Sequence, residues 1–240
     1  VQRSVLERAF AVAAEKTKHP KVAVHLSSDL PLSMGLGSSG ALSVAISRVL
    51  LEAQRGKAAL RDVESLAFAM EKEFHGTPSG CDHTTSARGT LVRFQRGEAV
   101  EVKAPKPLKV LVALVGPRSS TKQTVGALRD RQKRWPRRYR RVFEHIGALV
   151  GEGVQAVRKG DLEALGDVMN MNQGLLASLG LTSTPIDEMV YRLRDLGALG
   201  AKLTGAGGDG GAVIGLFPEP EPAVVKLRRA GVECFASQLA

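Results

Sequence analysis

Apolar positions recur at helical spacing in VLERAFAVAAEK, where Ser4 and Glu7 stand as the two ends of a capping box, so the pattern predicts a helix there. After the His19-Pro20 break, KVAVHL alternates and predicts a strand, and Ser27 to Pro31 reads as a loop. ALSVAISRVLLEA, rich in alanine and aliphatic residues, predicts a long buried helix, and DVESLAFAMEKEF a second one. Ala104 to Pro107, APKP, reads as a linker before the strand LKVLVALV, and helices follow from Thr124 onward. Lys202 to Thr204 close a strand, Gly205 to Gly211 form a loop, and Ala212 to Phe217 read as a buried strand ahead of a last helix and strand. No internal repeat or low-complexity tract interrupts this order.

Composition narrows the class. The 240 residues are 43% hydrophobic with a mean hydropathy of -0.05, enough to bury the core of one large domain or two small ones and too apolar for wholesale disorder. No apolar run approaches the roughly 20 residues of a membrane span. Cys81 and Cys234 lie far apart without CxxC or Cys/His spacing, which excludes a disulfide scaffold or zinc module and suits a reducing cytoplasm. Charge adds a partner: 34 Lys+Arg minus 24 Asp+Glu leaves +10, which suits nucleic acid, a phosphorylated metabolite or a membrane surface. The surplus is concentrated in RDRQKRWPRRYRR, Arg129 to Arg141, where eight Lys/Arg against one Asp give +7, with Trp135 and Tyr139 interleaved. Basic residues among aromatics suit single-stranded nucleic acid, yet no RNP-like motif accompanies them. The tract is expected to be the solvated face of one surface helix, with nucleic acid not an expected partner.

Three clusters carry chemistry. Gly35-Leu36-Gly37-Ser38-Ser39-Gly40 leads straight into the long helix. A helix N-terminus offers unpaired N–H groups and partial positive charge, so this segment is either a phosphate cradle or an ordinary loop before a core helix. The letters satisfy GxGxxG, but the loop after KVAVHL is too long for a dinucleotide fold, and the position about 20 residues on falls at a helix end. No Gly-Lys-Ser/Thr follows, so phosphates would rest on backbone amides and the paired serines, with a magnesium ion neutralising charge.

In EKEFHGTPSGCDHTTSARGTLVRF, Glu71, Glu73, His75, Ser79, Asp82 and His83 surround a Gly-Thr-Pro-Ser-Gly turn. Glu71 and His75 are four apart and share a helix face, while Gly80 lets the chain turn sharply and present Asp82. One carboxylate there can take a hydroxyl proton while another holds magnesium; the same residues also suit solvated helix ends, capping and packing. In AKLTGAGGDGGAVIGLF, five glycines occupy seven positions from Gly205 to Gly211. Such a loop persists where backbone passes close to backbone or ligand, to brace the first glycine loop, complete a phosphate site or simply make a tight turn. Asp209 has no evident role.

The order of these clusters is a resemblance as well as a pattern. PLSMGLGSSGALS resembles the second motif of the GHMP kinase superfamily (galacto-, homoserine, mevalonate and phosphomevalonate kinases), and KLTGAGGDGG resembles the third. EKEFHGTPSGCD is similar to the mevalonate kinase version of the central segment, as is MNMNQGLLASLGLTSTPIDEMVYRLRDLGALGAKLTGAGG further on. The match covers nearly the whole chain from Val22.

The resemblance implies an α+β fold in two lobes. Residues 1–103 would form a lobe like ribosomal protein S5 domain 2, and residues 108–240 a ferredoxin-like lobe, with ATP between them. It implies an ATP-dependent phosphotransferase acting on a small hydroxy acid, with the mevalonate 5-hydroxyl as acceptor. Another GHMP acceptor (phosphomevalonate, homoserine or a sugar) and an inactive nucleotide-binding module are the alternatives. Position by position, Asp82 matches the catalytic aspartate, and Ser39 and Glu71 match magnesium ligands. Gly35, Leu36, Gly37, Ser38 and Ser39 match the ATP phosphate loop. His75, Ser79 and Thr121 fall beside the substrate, and Gly205, Ala206, Gly207 and Gly208 form the third glycine loop. A homodimer is one assembly open to such an enzyme. Gly40 stands where alanine is usual, which is expected to loosen the helix start by up to roughly 1 kcal/mol. Asp209 stands where glycine is usual, and its charge would repel phosphate. Nothing before Gly35 resembles the Pro-Gly-Lys motif that opens the family's sequences, so the chain is expected to be N-terminally truncated or a degenerate member. Lost strands would leave a sheet edge or apolar face uncovered and favour association.

Overall fold

The structure, a computed structural model, describes residues 4–116 and 121–239. They form two compact units, Val1–Pro31 with Gly37–Glu101, and Leu32–Leu36 with Val102–Ala240.

The first unit is built on helices. In α1 (Val5–Lys16) the capping box forms as the sequence predicts: Ser4 Oγ accepts the Glu7 N–H at 3.2 Å, and Glu7 accepts the Ser4 N–H at 2.6 Å. Next come α2 (Ser38–Arg55), α3 (Leu60–His75) and α4 (Cys81–Arg88), closed by a hairpin of β1 (Val92–Gln95) and β2 (Glu98–Glu101). Ala9 and Ala13 of α1, Ile46 and Leu50 of α2, and Val63, Ala67 and Met70 of α3 recur three or four apart and meet in one core. KVAVHL, expected as a strand, forms none. Alternation decides which face a strand would bury, but a strand also needs a partner for its backbone groups, and no described strand pairs with this segment. Its Val22, Val24 and Leu26 instead line an open groove with Leu6, Phe10 and Ile46.

The second unit is an antiparallel sheet of β3 (Leu108–Val115), β4 (Gly200–Thr204), β5 (Gly211–Leu216) and β6 (Cys234–Leu239), in spatial order β4-β5-β3-β6. The chain runs from β3 through α5 (Thr121–Arg134), α6 (Pro136–Lys159), α7 (Leu162–Ser178) and α8 (Thr184–Asp195) to β4 and β5. It then returns through α9 (Glu221–Arg229) to β6, the split βαβ arrangement of a ferredoxin-like fold. Period-two alternation in β3 sends Leu111 and Ala113 into a core with Ile186 and Leu193 of α8 and Leu227 of α9. Each such fully buried leucine contributes about 1.5–3 kcal/mol. Val112 and Leu114 point the other way and, with Ala212, receive Met34 and Leu36 from the glycine-rich segment.

β4 is an edge strand, and α7 supplies the hydrogen-bonding groups its edge lacks. Asn170 accepts the Ala201 N–H and donates to the Leu199 carbonyl, both at 3.1 Å, and Gln173 Oε1 accepts the Leu203 N–H at 2.8 Å. The approach is close enough that a Cβ on Gly200 would lie 2.2 Å from the Gly166 carbonyl oxygen.

The basic tract also differs from expectation. Pro136 at the N-terminus of α6 divides it, so residues up to Arg134 end one helix and those from Arg137 begin another, with Trp135 between them.

Candidate active site

The glycine-rich segment enters α2 through Gly35 (φ 84°) and Gly37 (φ 70°), left-handed conformations that glycine adopts without strain. Gly37 is the N-cap of α2 and has no side chain to cap with, and the first turn of α2 carries no acid. The leading amides and the positive end of an 18-residue helix are therefore left for an anion.

Two further elements converge on this turn. The end of α3 brings Glu71 and His75; the start of α4 brings Asp82. Glu71 is 2% exposed, its Oε1 accepts from Ser43 Oγ at 3.3 Å, and its Oε2 accepts from Ser39 Oγ at 3.4 Å. His75 Nε2 lies 3.0 Å from Ser39 Oγ and 3.7 Å from Glu71 Oε2. Burial pushes the Glu71 carboxyl above the usual carboxylate range; His75 and the Ser39 hydroxyl pull it back, while the Asp82 charge adds to the rise. A buried carboxylate held by two hydroxyls and an imidazole suits a cation. Among the described residues no three His, Cys, Asp or Glu side chains gather as a metal cage. An ion held by Ser39 and Glu71 would draw its other ligands from phosphate and water, which is how Mg²⁺ is commonly bound.

Asp82 is exposed in the first turn of α4, where the helix dipole favours a carboxylate. Gly80 (φ 94°) makes the bend into α4 as its N-cap, and Ser79 Oγ just before it accepts the Cys81 N–H at 3.2 Å, so Ser79 braces the turn that leads to Asp82. Glycines set how near Asp82 comes to α2. A Cβ on Gly37 would lie 3.6 Å from Asp82 Cβ and Cγ, and one on Gly40 only 2.8 Å from the Asp82 carbonyl carbon and the His83 N. Gly40 therefore does more than weaken a helix start: without it α4 could not lie against α2 as it does. His83, 4% exposed, points into the core against Phe68 with ring centroids 5.3 Å apart, and burial lowers its pKa. It is a packing residue, whereas Glu73 pairs with Arg8 at 3.4 Å.

In the second unit the third glycine loop folds against the segment before α8. The Gly208 N–H donates to the Leu181 carbonyl at 3.1 Å, and a Cβ on Gly207 would lie 2.0 Å from that oxygen. Gly205 and Ala206 lead into this contact from β4, and Asp209 is exposed, its carbonyl accepting from Ser183 Oγ at 3.0 Å. Thr121 opens α5, and its side chain lies outside the described residues.

Sequence reasoning passed over Lys202, whose signal was a lone cation between the buried Ala201 and Leu203. Its ammonium donates to the Leu203 carbonyl, and burial lowers its pKa from 10.5 to about 8. It also passed over Asn170 and Gln173, whose amides sit in MNMNQG with nothing local to mark their strand partners.

Comparison with known proteins identifies the family. Residues 4–90 match the GHMP kinases N-terminal domain and residues 154–233 the GHMP kinases C-terminal domain. A mevalonate kinase of Aeropyrum pernix is 37% identical over 92% of this chain and 66% of its own length. One of Thermococcus sibiricus is 31% identical over 95% of this chain and 73% of its own. Among solved structures, L. major mevalonate kinase in complex with R-mevalonate superposes with a TM-score of 0.84 at 28% identity, covering 98% of this chain and 77% of that one. The chain thus spans just under two thirds of the Aeropyrum relative's length. With both family domains matched in order and the glycine-rich turn, buried glutamate and α4 aspartate brought together, the chain belongs to the GHMP kinases.

Proposed function

We propose that this chain transfers the γ-phosphoryl group of ATP to the 5-hydroxyl of mevalonate. The observation that carries the proposal is the convergence of the uncapped N-terminus of α2, the Ser39–Glu71 pair and Asp82 within one unit. The amides from Gly35 to Ser39 hold the ATP phosphates at the positive end of α2. Ser39 Oγ and the Glu71 carboxylate hold Mg²⁺, which when bound neutralises phosphate charge. Asp82 orients the acceptor hydroxyl and takes its proton, so that phosphoryl transfer proceeds mainly through positioning and charge compensation. His75 and Ser79 of the first unit serve the substrate in this reading, and in the second unit Thr121 and the loop of Gly205, Ala206, Gly207 and Gly208 take the substrate and glycine-loop roles that the resemblance implies. In this reading residues 1–103 and 108–240 are the two lobes of a cytoplasmic enzyme.

Mevalonate as acceptor is supported by two named relatives, and by the R-mevalonate bound in the L. major enzyme. The test is ADP release with mevalonate, phosphomevalonate, homoserine and galactose in turn, with and without Mg²⁺. Turnover with mevalonate alone, dependent on the cation, is expected; turnover with another of the four in its place, or with none, refutes the assignment.

A further inference from the structure

The kinase reading leaves one charged surface unused. Where α5 meets α6, Arg129, Lys133, Arg134, Arg137, Arg138, Arg140 and Arg141 are all exposed. Among the described residues the one ion pair at this elbow joins Lys133 to Asp130 at 3.8 Å, and the six arginines form none. Arg131, the remaining cation of the tract, turns inward to donate to the Leu179 carbonyl at 2.7 Å.

The arrangement opposes folding. Arg137, Arg138, Arg140 and Arg141 crowd the first turns of the 24-residue α6, where the helix dipole is already positive; the first turn has no acid, and no side chain caps it. Arg137 and Arg141 are four apart, and Arg137 with Arg140 and Arg138 with Arg141 three apart, so each pair repels along the helix. Glu144, the next acid along α6, pairs with none of them. At 3.6 residues per turn these four spread over roughly 160° of the helix, opposite the buried Tyr139.

The type of cation and the fate of the aromatic ring identify the partner. All but one of the exposed cations are arginine, whose planar fork fits a phosphate through two hydrogen bonds. Trp135 is occupied: Arg134 lies 4.6 Å and Arg138 5.5 Å from its ring centroid, so the ring holds guanidinium groups in place and is not a free platform for bases. Leu128, Val142 and Ile146 of these helices are also committed, since they pack onto the core around Tyr139. Besides Trp135, 38% exposed and covered in part by its two arginines, the large apolar side chains exposed near the elbow are Val125 on α5 and Phe143 on α6, single residues and not a continuous patch for a lipid surface or a protein interface. We propose that the α5–α6 elbow binds the phosphate backbone of nucleic acid, without reading its sequence.

The test is fluorescence anisotropy with a labelled, mixed-sequence 20-base-pair DNA duplex from 50 to 200 mM salt. Binding is expected at the low end and weakens steeply with salt, the logarithmic slope being about -0.9 per phosphate contacted. Replacing Arg137, Arg138, Arg140 and Arg141 together by glutamine is expected to weaken binding at 50 mM by at least about 30-fold and to reduce the slope by about 3 to 4. Replacing Arg137 and Arg141 alone is expected to give about half that change in slope, and this milder variant decides if the quadruple one fails to fold. Because the charges oppose the helix, Tm of the quadruple variant is expected to rise by about 2–4 °C, while ADP release in the kinase assay is unchanged. Absence of duplex binding at 50 mM, or binding that survives the substitutions, overturns the inference. So does retention by phosphatidylserine vesicles without duplex binding, which assigns the elbow to a lipid surface.

Discussion

Replacing Gly40 by alanine sets helix propensity against packing. Propensity alone favours the alanine by up to about 1 kcal/mol in α2. The new Cβ would lie 2.8 Å from the Asp82 carbonyl carbon, 2.8 Å from the His83 N and 2.9 Å from Asp82 Cβ. Two of these are backbone atoms, so no rotamer relieves the overlap, and α4 has to retreat by roughly half an ångström to reach ordinary contact. Overpacking of this kind costs about 1–3 kcal/mol, so the net effect is a loss of about 1–2 kcal/mol, or about 2–8 °C in Tm. The same retreat displaces Asp82. A misplacement approaching 1 Å costs up to about 10²-fold in rate, so ADP release with mevalonate is expected to fall while ATP affinity, which the proposed function assigns to α2, stays. Calorimetry and the coupled kinase assay read the two effects. Gly151→Ala is the control: it lies inside α6 with nothing within 4 Å of the added Cβ, and is expected to gain about 0.5–1 kcal/mol. A rise in Tm for Gly40→Ala matching that of Gly151→Ala, with full turnover, would refute the packing argument and return Gly40 to the role of a mere helix weakener.

Three further outcomes are expected. Asp82→Asn lowers turnover by at least about 10²-fold while ATP still binds, measured by single-turnover kinetics and nucleotide titration; near-normal turnover removes Asp82 from the mechanism. Lys202→Met changes stability in a pH-dependent way. The folded pKa of about 8 lies below the ordinary 10.5, so the unfolded chain binds the proton more tightly, and the wild type is penalised below pH 8 and relieved as pH rises toward 10.5. Urea midpoints are therefore expected to favour the methionine variant by on the order of 2 kcal/mol at pH 7 and by much less at pH 10; an equal gain at both contradicts the burial argument. Gln173→Leu leaves the Leu203 N–H without its 2.8 Å acceptor on an edge strand, and is expected to cost about 1–3 kcal/mol and to speed hydrogen exchange at Leu203; unchanged protection there means the edge is satisfied in another way.

These outcomes separate what a linear reading can reach from what it cannot. The capping box at Ser4 and Glu7 was legible because both partners lie within one turn, and Glu71 and His75 because helical spacing alone puts them on one face. The ferredoxin-like sheet was reached through the resemblance, and its strands through apolar runs short enough to be buried on both faces. KVAVHL failed as a strand because alternation carries no information about whether a partner is present. Trp-Pro marked a break in the basic tract that a count of charges passed over, although Pro136 is just where a helix begins. Asn170, Gln173 and Gly40 form a third kind. Asn170 and Gly40 are unfavourable for their own helices by local rules while Gln173 is neutral, and each is explained by a backbone group some 30 to 40 residues away: β4 for the two amides, α4 for the glycine. A residue that its own element disfavours is therefore the place to look for a long-range contact. The arginines at the start of α6 obey the same logic with one difference: among the described residues only the Trp135 ring, against Arg138, offsets their charge and none of the four forms an ion pair, which is the imbalance that the proposed phosphate contact would relieve.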